Sequence, residues 1–165
     1  MLSLIKTATL ADLESLVNLR YWLKDETPYL PYNNSHWLAD SRILKKGKKT
    51  KEFILLAYEN INDNIPIGYL MLQNSNELPN INFYNLTGLI SLGIKEDYKG
   101  RGFASNLLDL AIKEAISLGY DSLFCTIQEE NKPSINFFTK KNFIKSNTEV
   151  KDFGYIWRRS LCDQH

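Results

Sequence analysis

Residues 86 to 127 constrain the fold more than any other stretch. An apolar run, 86-LTGLISLGI-94, leads into 97-DYKGRGFASNLL-108, and a helical pattern then separates it from a second apolar run, 122-SLFCTI-127. Leu107, Leu108, Ala111, Ile112 and Ala115 recur on one helical face, with Asp109, Lys113 and Glu114 elsewhere around the cylinder. Gly119 is placed to end this helix after about Leu118. Strand, glycine turn, helix and strand together predict one right-handed βαβ unit with parallel strands.

Elements on either side extend that unit into a sheet. The start, 2-LSLIKT-7, reads as a short strand, and Thr9 caps a helix to Leu19, with Asp12 beside the exposed amides of its first turn. Pro28 and Pro31 restrict the residues before them, so 21-YWLKDETPYLPYNN-34 reads as an irregular connection to a second helix from about Ser35 to Lys46. Its aromatics, with Trp37, are candidates for a substrate-facing wall (Trp22, Tyr29, Tyr32), packing against a sheet being their other use. The runs 52-EFILLAYE-59 and 67-IGYLMLQ-73 flank the turn residues 60-NINDNIP-66 as a hairpin. After a turn at 74-NSNELPN-80, a strand from about Phe83 to Ile94 is apolar on both faces near its end, which predicts an interior place. Pro133 opens a short helix to Lys141, and 143-FIK-145, a polar turn and 153-FGYIWRRS-160 return the chain as an antiparallel strand. The predicted fold class is α/β: a single domain over residues 1–165, a mixed and mostly antiparallel sheet, and helices on both faces.

Composition narrows the functions. A chain of 165 residues, 44% apolar and 24% charged, can bury one full core. Twenty basic against nineteen acidic residues leave +1, so no general field favours nucleic acid. The local run 45-KKGKKTK-51 reads as a solvated face before it reads as a contact for an anion. Cys125 and Cys162 lack metal-ligand spacing, and His36 and His165 have no ligand cluster, so neither a metal nor a disulfide framework is expected. Without a leader-like apolar stretch or a run of membrane-spanning length, a cytoplasmic location and no membrane partner are expected.

The chemistry starts at the glycine turn. Gly100 and Gly102 clear side chains from converging amide N–H groups, and the helix that begins there adds the positive end of its dipole. Lys99 and Arg101 supply charge, and Ser105 a hydroxyl. Two readings stay open on the residues alone: a tight strand-to-helix turn, and a cradle for a diphosphate. A mononucleotide P-loop is excluded, because 47-GKKT-50 lacks the spacing and Arg42 stands where its first glycine belongs. A dinucleotide fingerprint fails as well, with Ser105 in place of its third glycine and Asp121 before, not after, the next strand.

The segment from Leu92 to Phe143 resembles the cofactor core of the GCN5-related N-acetyltransferases (GNAT). In that family a strand is followed by [QR]-x-x-G-x-[GA] and a helix; here the motif reads 99-KGRGFA-104, with Lys99 in the first place. Downstream, 131-NKPSINFFTKKNF-143 is similar to the family's second cofactor segment. The resemblance implies the acyl-CoA N-acyltransferase fold, acetyl-CoA as cofactor, and an acetyl group passed from the thioester to a primary amine of a small molecule or peptide by direct attack. It implies that the diphosphate sits on the amides of Lys99, Gly100, Arg101, Gly102, Phe103 and Ala104, with Ser105 beside them, and that pantetheine pairs with the backbone of Leu92, Gly93 and Ile94. Asn131, Ser134, Phe137 and Phe138 would face the pantetheine or thioester. It also implies that the strands ending at Ile94 and Ile127 splay, with a bulge at Gly93.

Two family features are replaced. The fourth-strand glutamate that deprotonates the amine corresponds to a position near Gly88, and the tyrosine that protonates the thiolate corresponds to Phe138. Glu26, Glu129, Glu130 and His36 remain unranked candidates for a base, so the catalytic residues are left open. Loss of the acid is tolerable, because a coenzyme thiolate is a fair leaving group, so positioning and oxyanion stabilisation by a backbone amide near Ile94 carry more of the expected catalysis. A catalytically weak acyl-CoA-binding or regulatory protein of the same fold is the alternative. Monomer and homodimer are both consistent with the sequence.

Overall fold

A computed structural model describes residues 4–75 and 86–161. Within them the strands are β1 (Leu4–Thr7), β2 (Phe53–Tyr58), β3 (Gly68–Asn74), β4 (Thr87–Ile94), β5 (Ser122–Ile127), β6 (Ile144–Val150) and β7 (Gly154–Ser160). The helices are α1 (Leu13–Glu26), α2 (Asn34–Lys46), α3 (Phe103–Ser117) and α4 (Lys132–Lys140). The strands form one sheet in the order β1-β2-β3-β4-β5-β7-β6. Every neighbouring pair is antiparallel except β4 and β5, which are parallel as the βαβ reading predicts.

The strand period of two divides the core. Phe53, Leu55 and Ala57 of β2 join Leu107, Leu108 and Ala111 of α3 on one face. Ile54, Leu56 and Tyr58 join Leu16, Leu19 and Leu23 of α1 and Ile43 of α2 on the other. Helices therefore cover both faces, and β2 is buried at every position. At the end of α2, buried Glu52 accepts from Arg42 Nη1 at 2.6 Å and from Asn74 N–H at 3.0 Å, linking the approach to β2 with the end of β3.

Three local expectations need correction. The first helix does not stop at Leu19: after a 3-10 turn (Leu10–Asp12), in which Thr9 N–H donates to Asp12 Oδ2, α1 continues to Glu26. Its apolar stripe Leu16, Leu19, Leu23 runs on, and Pro28 acts only on the residue before it, holding Thr27 extended at φ −151° and ψ 143°. The polar stretch after Lys145 is not a turn but the rest of β6, a largely exposed edge strand whose polarity suits one solvated face. Its pairing with β7 shifts register between Lys145 and Glu149. The proposed strand start at Phe83, most of the turn at 74–80, Cys162 and His165 lie outside the described residues. No described helix is long and apolar enough to cross a membrane.

Candidate active site

β4 and β5 separate in the middle of the sheet. They pair only from Thr87 with Ser122 to Leu89 with Phe124, although β4 runs on to Ile94 and β5 to Ile127. Beyond that point β4 stays bonded to β3 and β5 to β7, so the expected splay is a gap between two intact half-sheets. Backbone direction decides what faces it. Lys95 N–H donates to Ile67 C=O on the β3 side, and Leu86 C=O accepts from Asp121 N–H on the β5 side, each at 2.9 Å. Because strand peptide groups alternate, those of Leu92 and Ile94 and the carbonyl of Ile90 point into the gap, the Ile90 N–H forming the last rung to Phe124, and those of Ser91 and Gly93 point to β3. The bulge expected at Gly93 is absent, since the register with β3 is unbroken from Gly88 to Ile94. Gly93 instead makes room: a Cβ there would lie 2.8 Å from methyl groups of Leu23 and Leu30.

The gap opens into a cleft of about 720 Å³. One wall is the glycine turn, where Gly100 and Gly102 adopt φ of +75° and +89°, a region that side chains disfavour. Asn106 N–H donates to Gly102 C=O at 3.0 Å and closes the first turn of α3, which leaves the amides of Phe103, Ala104 and Ser105 without intrahelical acceptors. Lys99, Gly100 and Ala104 line the cleft; Arg101, Gly102, Phe103 and Ser105 do not. The Phe103 ring is buried in the core, so only its peptide group is available. Arg101 turns away, its guanidinium 5.2 Å from the Tyr98 ring centre and 3.8 Å from Glu59 Oε1. Ser105 Oγ accepts from Lys141 Nζ, which also reaches Asp109 at 3.0 Å. Lys141 is thus a cation at this helix entrance that the motif did not reveal, brought there from the far end of α4 by tertiary packing.

The opposite wall comes from β5 and α4. Asn131 caps α4, its Oδ1 accepting from Ser134 N–H at 3.4 Å, and both residues line the cleft with Phe137 and Phe138. Phe138 is buried edge-on between Phe137 and Phe143, with ring centres 5.1 and 5.0 Å away. Cys125 also borders the cleft, and burial pushes its thiol well above the ordinary range, as suits inert packing. A smaller recess of about 420 Å³ beside Asp121, Ser122 and Arg158 lies at the other end of β5.

The third wall is formed by α1, α2 and their connection. Of the four base candidates, Glu26 and His36 reach the cleft, and Glu129 and Glu130 do not. Glu26 Oε1 accepts from Glu96 N–H at 3.0 Å. His36 Nδ1 accepts from Asn33 N–H at 3.1 Å, while Asn33 Oδ1 already accepts from Ser35 N–H and His36 N–H. Burial and the charge of Arg20 push the imidazole below its usual range, and its Nδ1 lies 3.0 Å from Asn33 Oδ1 as well as 3.1 Å from Asn33 N. Side chains at β4 positions 89, 91 and 93 share the face of Tyr69 and Met71, and they are Leu89, Ser91 and Gly93. Ser91 Oγ lies 2.8 Å from the Tyr69 hydroxyl. Gly88 faces the other core, where a Cβ would meet Leu72 and Leu123 at 3.1 Å. Tyr29 lines the cleft, as expected of an acceptor wall, but Tyr32 is buried against Asp40, and Trp22 is exposed with Lys95 Nζ 4.6 Å from its ring centre. Arg20, buried and yet lining the cleft, stands just past the helix end expected at Leu19 and was not singled out in the sequence.

Comparison with known proteins agrees with this architecture. The pattern of the acetyltransferase (GNAT) family matches residues 16–143. The chain is 42% identical over 60 residues to YwnH of Bacillus subtilis (strain 168), covering 36% of this chain and 37% of YwnH. It is 32% identical over 73 residues to an acetyltransferase of Yersinia pestis (strain Pestoides F), covering 44% and 48%. The alignments thus span less than half of either relative's length. YncA of Salmonella typhimurium, whose structure was determined with its cofactor acetyl-CoA, superposes with a TM-score of 0.76 at 19% identity, over 100% of this chain and 96% of that one. The family pattern runs from α1 through the glycine turn to the end of α4, and on it this chain belongs to the acetyltransferase (GNAT) family.

Proposed function

We propose that the protein is an acetyl-CoA-dependent N-acetyltransferase that modifies a primary amine of a small molecule or peptide. The observation that carries this reading is the central gap, where the peptide groups of Leu92 and Ile94 and the carbonyl of Ile90 face a cleft that ends at the amides of α3. Such a set fits an extended, amide-containing, diphosphate-bearing ligand. It would be held by the amides of residues 99–104 with Lys99, by the peptide groups of Leu92 and Ile94, and by Asn131, Ser134, Phe137 and Phe138. Acetyl-CoA would supply an acetyl group activated as a thioester.

The chain's own groups supply the rest. An N–H of Leu92 or Ile94 is pre-aimed into the gap and can hold negative charge on a carbonyl oxygen without reorienting. The aromatic pair Phe137–Phe138 makes the facing wall apolar. The amine's proton leaves by solvent or past Glu26, the cleft carboxylate on the α1 side. The second reading, a weakly catalytic acyl-CoA-binding protein, draws support from the absence of any acid at positions 89, 91 and 93 and of a proton donor at Phe138.

Calorimetric titration with coenzyme A, followed by thiol release from acetyl-CoA over a panel of amines, tests both. The transferase reading expects saturable binding and release only when an acceptor is present. Binding without acceptor-dependent release across the panel would leave the second reading, and no binding would remove both.

A further inference from the structure

We propose that the acceptor is an amine that also carries a carboxylate, an amino acid or short amino-carboxylic acid, held by the Arg20 guanidinium and the His36 imidazole. This rests on the transferase reading above and names the chemical class of its acceptor.

The argument begins with a buried charge. Arg20 is only 5% exposed, and a guanidinium removed from water needs acceptors for five N–H groups arranged in a plane. Nη1 donates to Asp40 Oδ1 at 2.6 Å, and the other oxygen of Asp40 accepts from the Tyr32 hydroxyl at 3.0 Å. The rings of Tyr32 and Tyr69 lie with centres 4.6 and 5.0 Å from Cζ; they stabilise the charge through their faces but leave the in-plane donors unused. Asp40 therefore fixes the orientation of the fork and takes one donor. The rest of the fork belongs to a residue that lines the cleft.

A second donor stands beside the first. His36 lies one turn before Asp40 on α2, so the two share a face, and its ring stacks on Tyr32 with centres 5.9 Å apart. With Nδ1 turned to Asn33, the polar group of His36 left for a ligand is Nε2, a donor when Nδ1 accepts from Asn33 N–H. One wall of the cleft thus presents a positive fork and the His36 Nε2; Asp40, the carboxylate against the fork, is fully buried and already paired, and Glu26, six residues along α1, holds the Glu96 N–H. A carboxylate matches both donors and the planar geometry of the fork. A polyamine would bring a second ammonium toward Arg20, and an uncharged amine would leave those donors without a partner.

The test uses the whole protein with acetyl-CoA and matched acceptors: an amino acid, its carboxamide, and its decarboxylated amine, with rates expressed per free amine. We expect kcat/KM for the carboxylate to exceed that of both others by about 10- to 100-fold. Equal rates, or preference for the carboxamide or amine, overturn the proposal. In His36→Phe, which keeps the ring stack, and in Arg20→Lys, which keeps the charge, we expect the preference to shrink through KM more than kcat. A preference unchanged in a folded His36→Phe also overturns it. If coenzyme A binds but no member of the set is acetylated, the acceptor class is wrong and the cofactor site stands; if coenzyme A does not bind, the transferase reading itself has failed.

Discussion

Residue 88 shows how one side chain decides between two kinds of chemistry. A carboxylate there would enter the core between Leu72 and Leu123, on the face away from the acceptor wall, and would have no partner. Gly88→Glu should therefore cost about 3–5 kcal/mol of stability and restore no base. Urea unfolding together with a thiol-release assay checks it: a stable variant with raised kcat would show that the strand faces have been assigned the wrong way round. The sequence told that β4 lacks an acid, and it told which residue types surround the gap. It could not tell strand parity, because shifting a strand by one residue exchanges every side chain between faces. For the same reason Arg20, Ser91 and Lys141 were not legible: each acquires meaning only from residues far away in the chain.

Among the elements, β4 makes the sharpest prediction. Amide exchange, followed by NMR, should differ along it: Ser91 and Gly93, bonded to β3, and Ile90, bonded to β5, protected with or without ligand, and Leu92 and Ile94 fast until coenzyme A is added. Slow exchange at all five without ligand would mean that the gap is closed in solution. The unit from β4 through α3 to β5 was readable because its signals are local: an apolar run, glycines at positive φ, and a helical stripe. The end of α1 was misread because aromatic and charged residues after Leu19 obscured a stripe that Leu23 continues. β7 lies between β5 and β6, an insertion that depends on pairing between distant segments, and nothing local in 143–160 announces it.

At the scale of the whole molecule, Glu52 ties two strand ends and α2 together from a fully buried position. Glu52→Ala removes the acceptor shared by Arg42 and the Asn74 amide, and about 2–3 kcal/mol of stability should be lost in a denaturant titration. A loss under 1 kcal/mol would mark the ion pair as dispensable. Activity as a whole should follow the acceptor and not the enzyme. With no acid at positions 89, 91 and 93 to take the proton, log kcat/KM should climb with a slope of about one per pH unit up to the acceptor's own pKa. Acceptors of different basicity should therefore level off at different pH values. A common plateau for all of them would reveal a base in the protein.

The opened sheet has a thermodynamic side as well. Where β4 and β5 part, the molecule forgoes a ladder it could have completed, and a guest that supplies the missing rungs joins two half-sheets whose own strand pairing stops at Leu89. Occupancy and cohesion then become a single equilibrium, so that resistance to heat and to proteolysis would rise and fall with the metabolite concentration around it.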